Sequence, residues 1–447
     1  MPGLPRPGME RISYTECLKR MFRLGRFGIK LELETVSDIL EILGSPQNNF
    51  TAVHIAGTNG KGSIGTYIAE ILSRSGHKTG LYTSPHLVRF NERISINGTP
   101  VSDDEIVTAY LAVNDADRGE RKATFFEIAT AMAFYLFDRR GVKFAVIETG
   151  MGGRFDATNI VRPAVSIISN LSIEHTDYLG GTIKDLAVEK GGIIKENTPL
   201  VTGVTQPTGL SKLFETAREK NAPVHVFRKD FKVRNNKEKN TFSYFGISRR
   251  FKDLKTGLKG SHQIENAALA IAGCEIIATQ LDLAHPERLL DPVNIQESLR
   301  CAKWPGRLEY IMEDPLVIID GAHNLKASAV LGRYLFEHFA GRKITLVLGM
   351  LDDKPYEKML RNLLPAAGRI ILTRADNDRS IDPQVLEQFA RQITEVPVEI
   401  ERHVDRAVEK AVKEAEPDEV ICIAGSLYVA GEAREKIETE MKSQVDF

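Results

Sequence analysis

The 447-residue chain has 59 basic and 60 acidic residues, a formal net charge of −1, which argues against nucleic acid as its main partner. Its 42% hydrophobic and 27% charged residues are typical of a globular protein, and its length favours two or three domains. The four cysteines lack CxxC spacing, and no segment is apolar enough for a signal peptide or a membrane helix. We therefore expect a cytoplasmic protein without a zinc knuckle or disulfide framework.

After two short predicted helices that end before Pro46, apolar runs alternate with amphipathic segments. These runs are residues 51–57, 78–84, 143–150, 164–170 and 199–204. Between the first two runs, apolar residues from Ile64 to Leu72 recur with helical spacing, and Gly76 is placed to end that helix. Short apolar runs alternating with helices predict a mainly parallel sheet that is covered on both faces.

The second half of the chain changes character and then repeats the alternation. Residues 224–260 are polar, alternating and rich in turn residues, which predicts a small antiparallel excursion, and the helical stretch 264–281 follows. Beyond it, four more apolar runs alternate with predicted helices. We therefore predict two α/β domains, residues 1–298 and 299–447.

The stretch GTNGKGS at residues 57–63 resembles a phosphate-binding loop that is two residues short, because only Thr58 and Asn59 separate Gly57 from the Gly-Lys pair. It follows a predicted strand and precedes a predicted helix. Backbone N–H groups at that helix N-terminus would hold a phosphate, with Lys61 as the positive charge. We therefore favour nucleotide binding over a purely structural turn.

Polar residues stand where the predicted strands end, which is the edge at which open α/β sheets bind ligands. In the first domain these are the loop 57–63, Ser84, His86, Glu148, Asn170, His175 and Asp177. In the second they are Asp320, His323, Asn324, residues 349–354 and Gly425 with Ser426. A carboxylate, an imidazole and a hydroxyl beside a glycine-rich loop are what a metal–phosphate site requires, and Mg²⁺ prefers hard oxygen ligands.

Ten motifs in a fixed order carry a resemblance to a known family. They are GTNGKGS (57–63), TSPHL (83–87), NERI (91–94), ETGMGGRFDATN (148–159), EHTDYLG (174–180), EKGGIIK (189–195), WPGRLE (304–309), DGAHN (320–324), GMLDDK (349–354) and GSLYVAGE (425–432). Over nearly its whole length the chain resembles folylpolyglutamate synthase/dihydrofolate synthase, within the Mur-ligase superfamily. In that family the short loop is the normal phosphate loop. One local departure is that Met151 and Phe155 stand where leucine is expected, and both remain apolar.

The resemblance implies an α/β fold with an N-terminal P-loop-containing Mur-ligase-type ATPase domain and a smaller C-terminal Rossmann-like domain. It implies that ATP is bound by Gly57, Thr58, Asn59, Gly60, Lys61, Gly62, Ser63, Asn266, Arg307 and Asp320. It implies Ser84, Glu148 and His175 as ligands of Mg²⁺. Lys190 occupies the position of the family's carbamylated lysine, which supports a second cation (Mg²⁺ or K⁺). Lys61, Lys190 and His323 are the implied catalytic residues, and Thr124, Phe126, Arg154 and Asp156 the implied contacts of the pterin end of the substrate.

The implied reaction is ATP-dependent ligation of L-glutamate to dihydropteroate, reduced folylpolyglutamates or both, through an acyl phosphate. The resemblance also implies a monomer whose partners are small molecules, with no nucleic acid and no membrane. A peptidoglycan-precursor Mur ligase is the alternative within the class. Against it stand GKGS where GKT is expected and the lack of a further N-terminal nucleotide-sugar domain. A nucleotide-hydrolysing switch is the alternative from another class. The chain has no NKxD-type base-reading motif, and the DxxG match at 177–180 is short enough to arise by chance.

Overall fold

The protein is represented by a computed structural model that describes residues 12–24, 32–173, 176–281 and 285–445. The chain divides into two compact units. The first comprises Met1–Pro85, Asn91–Lys255 and Asn266–Leu299, and the second comprises His86–Phe90, Thr256–Glu265 and Arg300–Phe447.

An eight-stranded sheet forms the centre of the first unit. Its strands are β1 (Thr51–Ala56), β2 (Thr79–Tyr82), β3 (Ile94–Ile96), β4 (Thr99–Pro100), β5 (Phe144–Glu148), β6 (Pro163–Ile168), β7 (Leu200–Thr202) and β8 (Val224–Val226). The order is β4-β3-β2-β5-β1-β6-β7-β8, and only the pairings of β3 are antiparallel. In register, Ile55 of β1 lies opposite Glu148 of β5 and Ile167 of β6, so the three strands end together at one edge of the sheet.

The helices up to residue 301 follow the sequence signals for helix starts and ends. They are α1 (Tyr14–Leu24), α2 (Glu34–Ile42), α3 (Lys61–Arg74), α4 (Asp103–Ala116), α5 (Phe125–Arg139), α6 (Thr176–Leu179), α7 (Ile183–Gly191), α8 (Pro207–Glu219), α9 (His262–Gln280), α10 (Pro286–Leu289) and α11 (Pro292–Cys301). Capping boxes begin α4, α5 and α7 at Ser102, Thr124 and Thr182. Gly76 lies just beyond α3 with φ 97°, a left-handed conformation that suits glycine at a helix end.

The predicted antiparallel excursion is confirmed for residues 232–254 and wrong for its first strand. β9 (Lys232–Asn236), β10 (Thr241–Phe245) and β11 (Arg250–Leu254) form a separate three-stranded antiparallel sheet. In contrast, β8 pairs in parallel with β7 as the edge strand of the large sheet. The intervening helix α8 provides the crossover that a parallel neighbour needs.

One buried carboxylate joins this small sheet to helix α9. Glu275 is 1% exposed and accepts a hydrogen bond from the Tyr244 hydroxyl at 2.7 Å. The backbone N–H groups of Ile247, Ser248 and Arg249 donate to the same carboxylate at 3.0, 3.0 and 2.6 Å. A buried anion is tolerated here because oriented donors replace its hydration.

We expect Glu275→Gln to lower the free energy of unfolding by about 2 kcal/mol, because the amide loses the charge-assisted bonds and directs one NH₂ group towards donors. Urea unfolding followed by circular dichroism measures the change. Glu70→Gln is a suitable control, since Glu70 makes an i,i+4 ion pair with the partly exposed Arg74. Equal midpoints for the two variants would show that the buried bonds contribute little.

The second unit is built on a six-stranded mixed sheet of order β12-β13-β17-β14-β15-β16, in which only β12 is antiparallel. Its strands are β12 (Glu309–Glu313), β13 (Leu316–Ile319), β14 (Ile344–Leu348), β15 (Arg369–Arg374), β16 (Val398–His403) and β17 (Val420–Ala424). Its helices are α12 (Leu325–His338), α13 (Tyr356–Leu363), α14 (Pro383–Ile393), α15 (Val404–Lys413) and α16 (Leu427–Val445). Leu346 and Leu348 of β14 join the core cluster that includes α12, α13 and α14, whereas Val347 joins the cluster that includes α15 and α16.

The predicted fold class is confirmed: two α/β units, the first with a mainly parallel sheet and the second smaller and Rossmann-like. Alternate residues of the central strands face helices on both sides, which is why the strands appear in the sequence as continuous apolar runs. None of the described helices combines the length and apolarity needed to cross a membrane.

Candidate active site

The short glycine-rich loop connects the end of β1 to the start of α3. Gly57 has φ 146° and Gly60 has φ 87°, so both occupy conformations that strongly favour glycine. Gly60 is also the N-cap residue of α3, and no side chain caps that helix. The N–H groups of the first turn of α3 are therefore oriented for an anion, as in larger phosphate-binding loops.

A neighbouring segment after β6 fixes the conformation of this loop. The Ser169 hydroxyl and the Asn170 amide donate to the Asn59 carbonyl at 2.7 and 2.8 Å, and the Asn59 N–H donates to Asn170 Oδ1 at 3.2 Å. The Thr58 hydroxyl donates to the Ser172 carbonyl at 3.1 Å and accepts from its N–H at 3.0 Å. The shortened loop is thus held by side chains from the adjacent strand end. The sequence analysis noted Asn170 but missed Ser169, which also follows β6 directly.

Two glycines of the loop, Gly57 and Gly60, leave no room for a side chain. A Cβ atom at Gly57 would lie 1.9 Å from Ser169 Oγ, and one at Gly60 would lie 2.5 Å from Asn266 Oδ1. This places Asn266, a predicted nucleotide contact, directly against the phosphate loop.

We expect Gly57→Ala to destabilise the fold by about 2 kcal/mol, because the new methyl group combines backbone strain with a clash. It should also weaken ATP binding, since Ser169 can no longer hold Asn59. Thermal unfolding and calorimetric titration with ATP measure the two effects. Gly181→Ala is the matched control, because Gly181 has no neighbouring atom within 4 Å of an added Cβ. If both variants bind ATP like the parent, the loop tolerates the displacement and its packing is not important for nucleotide binding.

Lys61, Glu148 and Ser84 meet beside the loop. The Lys61 ammonium donates to the Gly57 carbonyl at 3.0 Å and lies 3.7 Å from Glu148 Oε1. Glu148 is the last residue of β5 and is 5% exposed. The Ser84 N–H lies 3.4 Å from Glu148 Oε2. Three of the predicted site residues, which are distant in sequence, therefore share one end of the sheet.

The predicted metal site is described only in part, because His175 lies outside the described residues. The buried Glu148 carboxylate, with Ser84 beside it and the N-terminus of α3 nearby, offers the kind of hard oxygen ligand that Mg²⁺ prefers, so the described part of the predicted site fits that ion. Within the described part of the chain, no group of three or more His, Cys, Asp and Glu residues is arranged to hold a metal.

Lys190 lies in the last turn of α7 and is 1% exposed, which makes it one of the largest fully buried side chains in the structure. A buried ammonium group loses its hydration, so lysine is rarely found at such a depth without compensation. The backbone carbonyls of Glu189 and Lys190 come within about 3 Å of where a Cβ at Gly153 would lie, so α7 packs tightly against the loop that follows Glu148.

The loop that follows Glu148 contains two of the four predicted substrate contacts. Asp156 is buried, accepts from the Met151 N–H at 2.9 Å and caps the short helical turn that begins at Ala157. Burial raises the pKa of Asp156, and hydrogen bonds from Thr158, Met151 and Gly150 oppose that rise. Arg154 is about half exposed and pairs with Glu189 at 2.6 Å.

The other two predicted substrate contacts begin helix α5. The Thr124 hydroxyl accepts from the Glu127 N–H at 3.3 Å, so this side chain caps the helix. The Phe126 ring lies so close to Gly150 that an added Cβ would come within 2.5 Å of it. Phe126 therefore packs against the glycine-rich loop, with its ring centroid 6.2 Å from that of Tyr82.

The predicted residues of the second unit form their own cluster after β13. Asp320 is 9% exposed and accepts from the Leu308 N–H at 2.8 Å. Burial raises the pKa of Asp320, and the Arg307 guanidinium partly opposes this. His323 Nδ1 lies 2.8 Å from the Gly321 carbonyl, so that nitrogen carries the donated proton.

Comparison with known proteins matches both units. Residues 55–274 match the Mur ligase middle domain, and residues 306–427 match the Mur ligase glutamate ligase domain. The dihydrofolate synthase/folylpolyglutamate synthase of Bacillus subtilis is 35% identical over 92% of this chain and 96% of its own length.

Two solved structures are similar over almost the whole chain. Mycobacterium tuberculosis folylpolyglutamate synthase complexed with ADP has a TM-score of 0.86 and 31% identity, covering 95% of this chain and 98% of that one. Escherichia coli FolC in complex with DHPP and ADP has a TM-score of 0.87 and 26% identity, covering 98% and 100%. The resemblance seen in the motifs is confirmed: the chain belongs to the folylpolyglutamate synthase/dihydrofolate synthase family of the Mur ligase superfamily.

Proposed function

We propose that this protein is an ATP-dependent ligase that forms an amide between L-glutamate and a pteroate or reduced folate. The observation that carries the proposal is the meeting of the phosphate loop, Lys61 and Glu148 at one sheet edge. The chain that builds this site is similar over its length to proteins named for dihydrofolate and folylpolyglutamate synthesis. We propose that both dihydropteroate and reduced folylpolyglutamates are substrates.

A carboxylate reacts poorly with an amine because its negative charge and resonance make it a weak electrophile. In the proposed reaction a substrate carboxylate oxygen attacks the γ-phosphorus of ATP, the bond to the bridging oxygen breaks, and ADP leaves. The α-amine of glutamate then attacks the acyl phosphate, and inorganic phosphate leaves with loss of the amine proton. The first step brings two anions together, so it requires positive charge and fixed donors.

The described residues supply such groups. We propose that the first-turn N–H groups of α3 bind the phosphates, and that Lys61 neutralises the developing charge at the γ-phosphate. Its ammonium is preorganised for this, because the Gly57 carbonyl and Glu148 hold it beside the loop. We further propose that Asn266, Arg307 and Asp320 contact the nucleotide, with His323 near the γ-phosphate.

We propose that Ser84, Glu148 and His175 hold Mg²⁺, which when bound would neutralise phosphate charge. A carbamate on Lys190 would turn a buried ammonium into an anion able to support a second cation, Mg²⁺ or K⁺. The almost complete burial of Lys190 supports this proposal. Carbon-13 NMR of the folded protein kept in ¹³C-labelled bicarbonate, compared with Lys190→Met, detects the carbamate carbon directly.

For the pterin end, we propose contacts from Thr124, Phe126, Arg154 and Asp156. Phe126 offers an aromatic ring against the glycine-rich loop, and Arg154 offers a partly exposed guanidinium. Thr124 and Asp156 are held in place by capping bonds, which fixes the two elements on which the contacts lie.

The substrate class is tested by mass spectrometry of products formed from ATP, glutamate and one of three acceptors: dihydropteroate, tetrahydrofolate or its diglutamate. We expect a product that is heavier by one glutamate residue with dihydropteroate and with the reduced folates. No product from any of the three would refute the proposal. The acyl phosphate is tested with acceptor labelled by ¹⁸O in its carboxylate, from which one labelled oxygen should appear in the released phosphate.

A further inference from the structure

A histidine lies inside the central strand that leads to the phosphate loop. His54 of β1 is 0% exposed and is paired in register with Ile147 of β5 and Ser166 of β6. Burial lowers the pKa of His54 to about 3, and the positive charge of Lys195 acts in the same direction. The ring is therefore neutral at physiological pH. None of the roles proposed above requires a polar side chain at this position.

The ring begins a chain of hydrogen bonds that ends in the loop after Glu148. His54 Nε2 lies 2.8 Å from Thr158 Oγ1, and the Thr158 hydroxyl donates to Asp156 Oδ1 at 2.5 Å. The Thr158 N–H donates to the same oxygen at 3.1 Å, while Asp156 Oδ2 accepts from the Met151 N–H at 2.9 Å. Asp156 thus joins the two ends of the loop, and His54 is the buried support behind it.

Which atom donates in each of these hydrogen bonds follows from the hydrogens that the groups carry. A threonine hydroxyl has one hydrogen, and both Asp156 oxygens already accept from backbone N–H groups, so the hydroxyl donates to the carboxylate. Thr158 Oγ1 must then accept from His54, which requires the neutral tautomer with its proton on Nε2. The other nitrogen, Nδ1, is buried and has no hydrogen-bond partner within the described part of the chain. A histidine that served only to fill the core would carry this cost without benefit.

We propose that His54 is a positioning residue: by donating to Thr158 it commits that hydroxyl to Asp156 and fixes the loop of residues 149–156 against the pterin end of the substrate. This inference rests on the proposed function, because it gives the loop a substrate. The chain of hydrogen bonds links strand β1, which leads into the phosphate loop, to the loop of residues 149–156, which we propose contacts the pterin.

Tyr82 and Lys195 are titratable groups that act electrostatically on this hydrogen-bond chain. Tyr82 lies within electrostatic reach of Arg93, Asp156 and Glu148, and burial raises its pKa above the range in which it would ionise. The Lys195 ammonium acts on His54 and donates to the Asn159 carbonyl at 2.7 Å; burial lowers the pKa of Lys195 to about 8, so it stays protonated over the acid limb.

The kinetic test compares Thr158→Val with Thr158→Ser, and His54→Leu with His54→Gln, which keeps an amide donor. For Thr158→Val and His54→Leu we expect KM for dihydropteroate to rise about tenfold while KM for ATP stays within about twofold. The Thr158 hydroxyl lowers the pKa of Asp156, so in Thr158→Val that pKa rises and the ionised form is lost at a higher pH as the solution is acidified. The acid limb of kcat/KM should therefore move to higher pH in Thr158→Val and return towards the parent in Thr158→Ser.

Equal increases of KM for both substrates, or an unmoved acid limb, would overturn the proposal and leave His54 as a structural residue. A second measurement does not depend on the variants being active. Nitrogen NMR of histidine-labelled parent protein, with the His54 signal identified by its loss in His54→Gln, should show the neutral Nε2–H tautomer from about pH 5 to 8. A protonated ring or the Nδ1–H tautomer would contradict the inference. If the parent makes no folate product, the proposed function fails, while the tautomer still reports separately on the hydrogen-bond chain.

Discussion

Glu148→Gln is expected to reduce kcat for glutamate ligation by a factor of about 100 to 1000 while leaving the fold intact. The substitution keeps the size and most hydrogen bonding of the side chain but removes the negative charge that faces Lys61 at 3.7 Å. Under the proposed metal-binding role, a cation beside the phosphate loop would then lose its carboxylate ligand. ADP release at saturating ATP, glutamate and acceptor measures the effect, and thermal unfolding checks the fold.

Two controls separate this result from a general loss of stability. Glu70→Gln removes a carboxylate that pairs with Arg74 in the same unit, so it matches the change in charge without touching the phosphate loop or the proposed substrate contacts. After both proteins are stripped with a chelator, raising the Mg²⁺ concentration should partly restore the activity of the parent but not that of Glu148→Gln. A Glu148→Gln protein that turns over at the parental rate would refute the metal-binding role of Glu148.

Lys61→Met is expected to lower kcat/KM for ATP by a factor of about 1000, because it removes the ammonium that the Gly57 carbonyl holds against the loop proposed to bind phosphate. Methionine keeps the apolar stem and removes only the charge and its donors. Lys61→Arg should also be strongly impaired, since a planar guanidinium cannot replace the compact ammonium between the Gly57 carbonyl and Glu148.

The control for these substitutions is Lys184→Met, which removes an exposed lysine from α7 in the same unit. It should keep the parental kcat/KM. ADP formation as a function of ATP concentration gives the comparison, and near-parental rates for Lys61→Met would mean that the loop binds phosphate through its backbone alone.

Much of this fold could be predicted from the sequence, because each central strand is an apolar run that ends at a polar or glycine residue. Glu148 and the loop 57–63 were recognisable for the same reason: parallel strands end together, so residues at their ends meet. β8 was not recognised as part of the large sheet, because a three-residue edge strand has too little pattern to reveal its partner.

Within the site, side-chain hydrogen bonding was the least predictable property. Thr124 and Asp156 were expected to contact substrate, and their capping bonds to Glu127 and Thr158 appear only in three dimensions. Ser169 supports the phosphate loop from a position 110 residues away from its partner Asn59, and no local pattern indicates such a contact. His54 gave no signal either, because one polar residue in an apolar strand is compatible with many environments.

The measurement that tests the central claim most directly is ADP release by the purified protein with ATP and Mg²⁺, in the presence or absence of glutamate and of a reduced folate or dihydropteroate. We predict that sustained ADP release requires glutamate and acceptor together, with one ADP formed for each glutamate joined. ATP hydrolysis at the same rate without either substrate would contradict a ligase and indicate a nucleotide-hydrolysing switch.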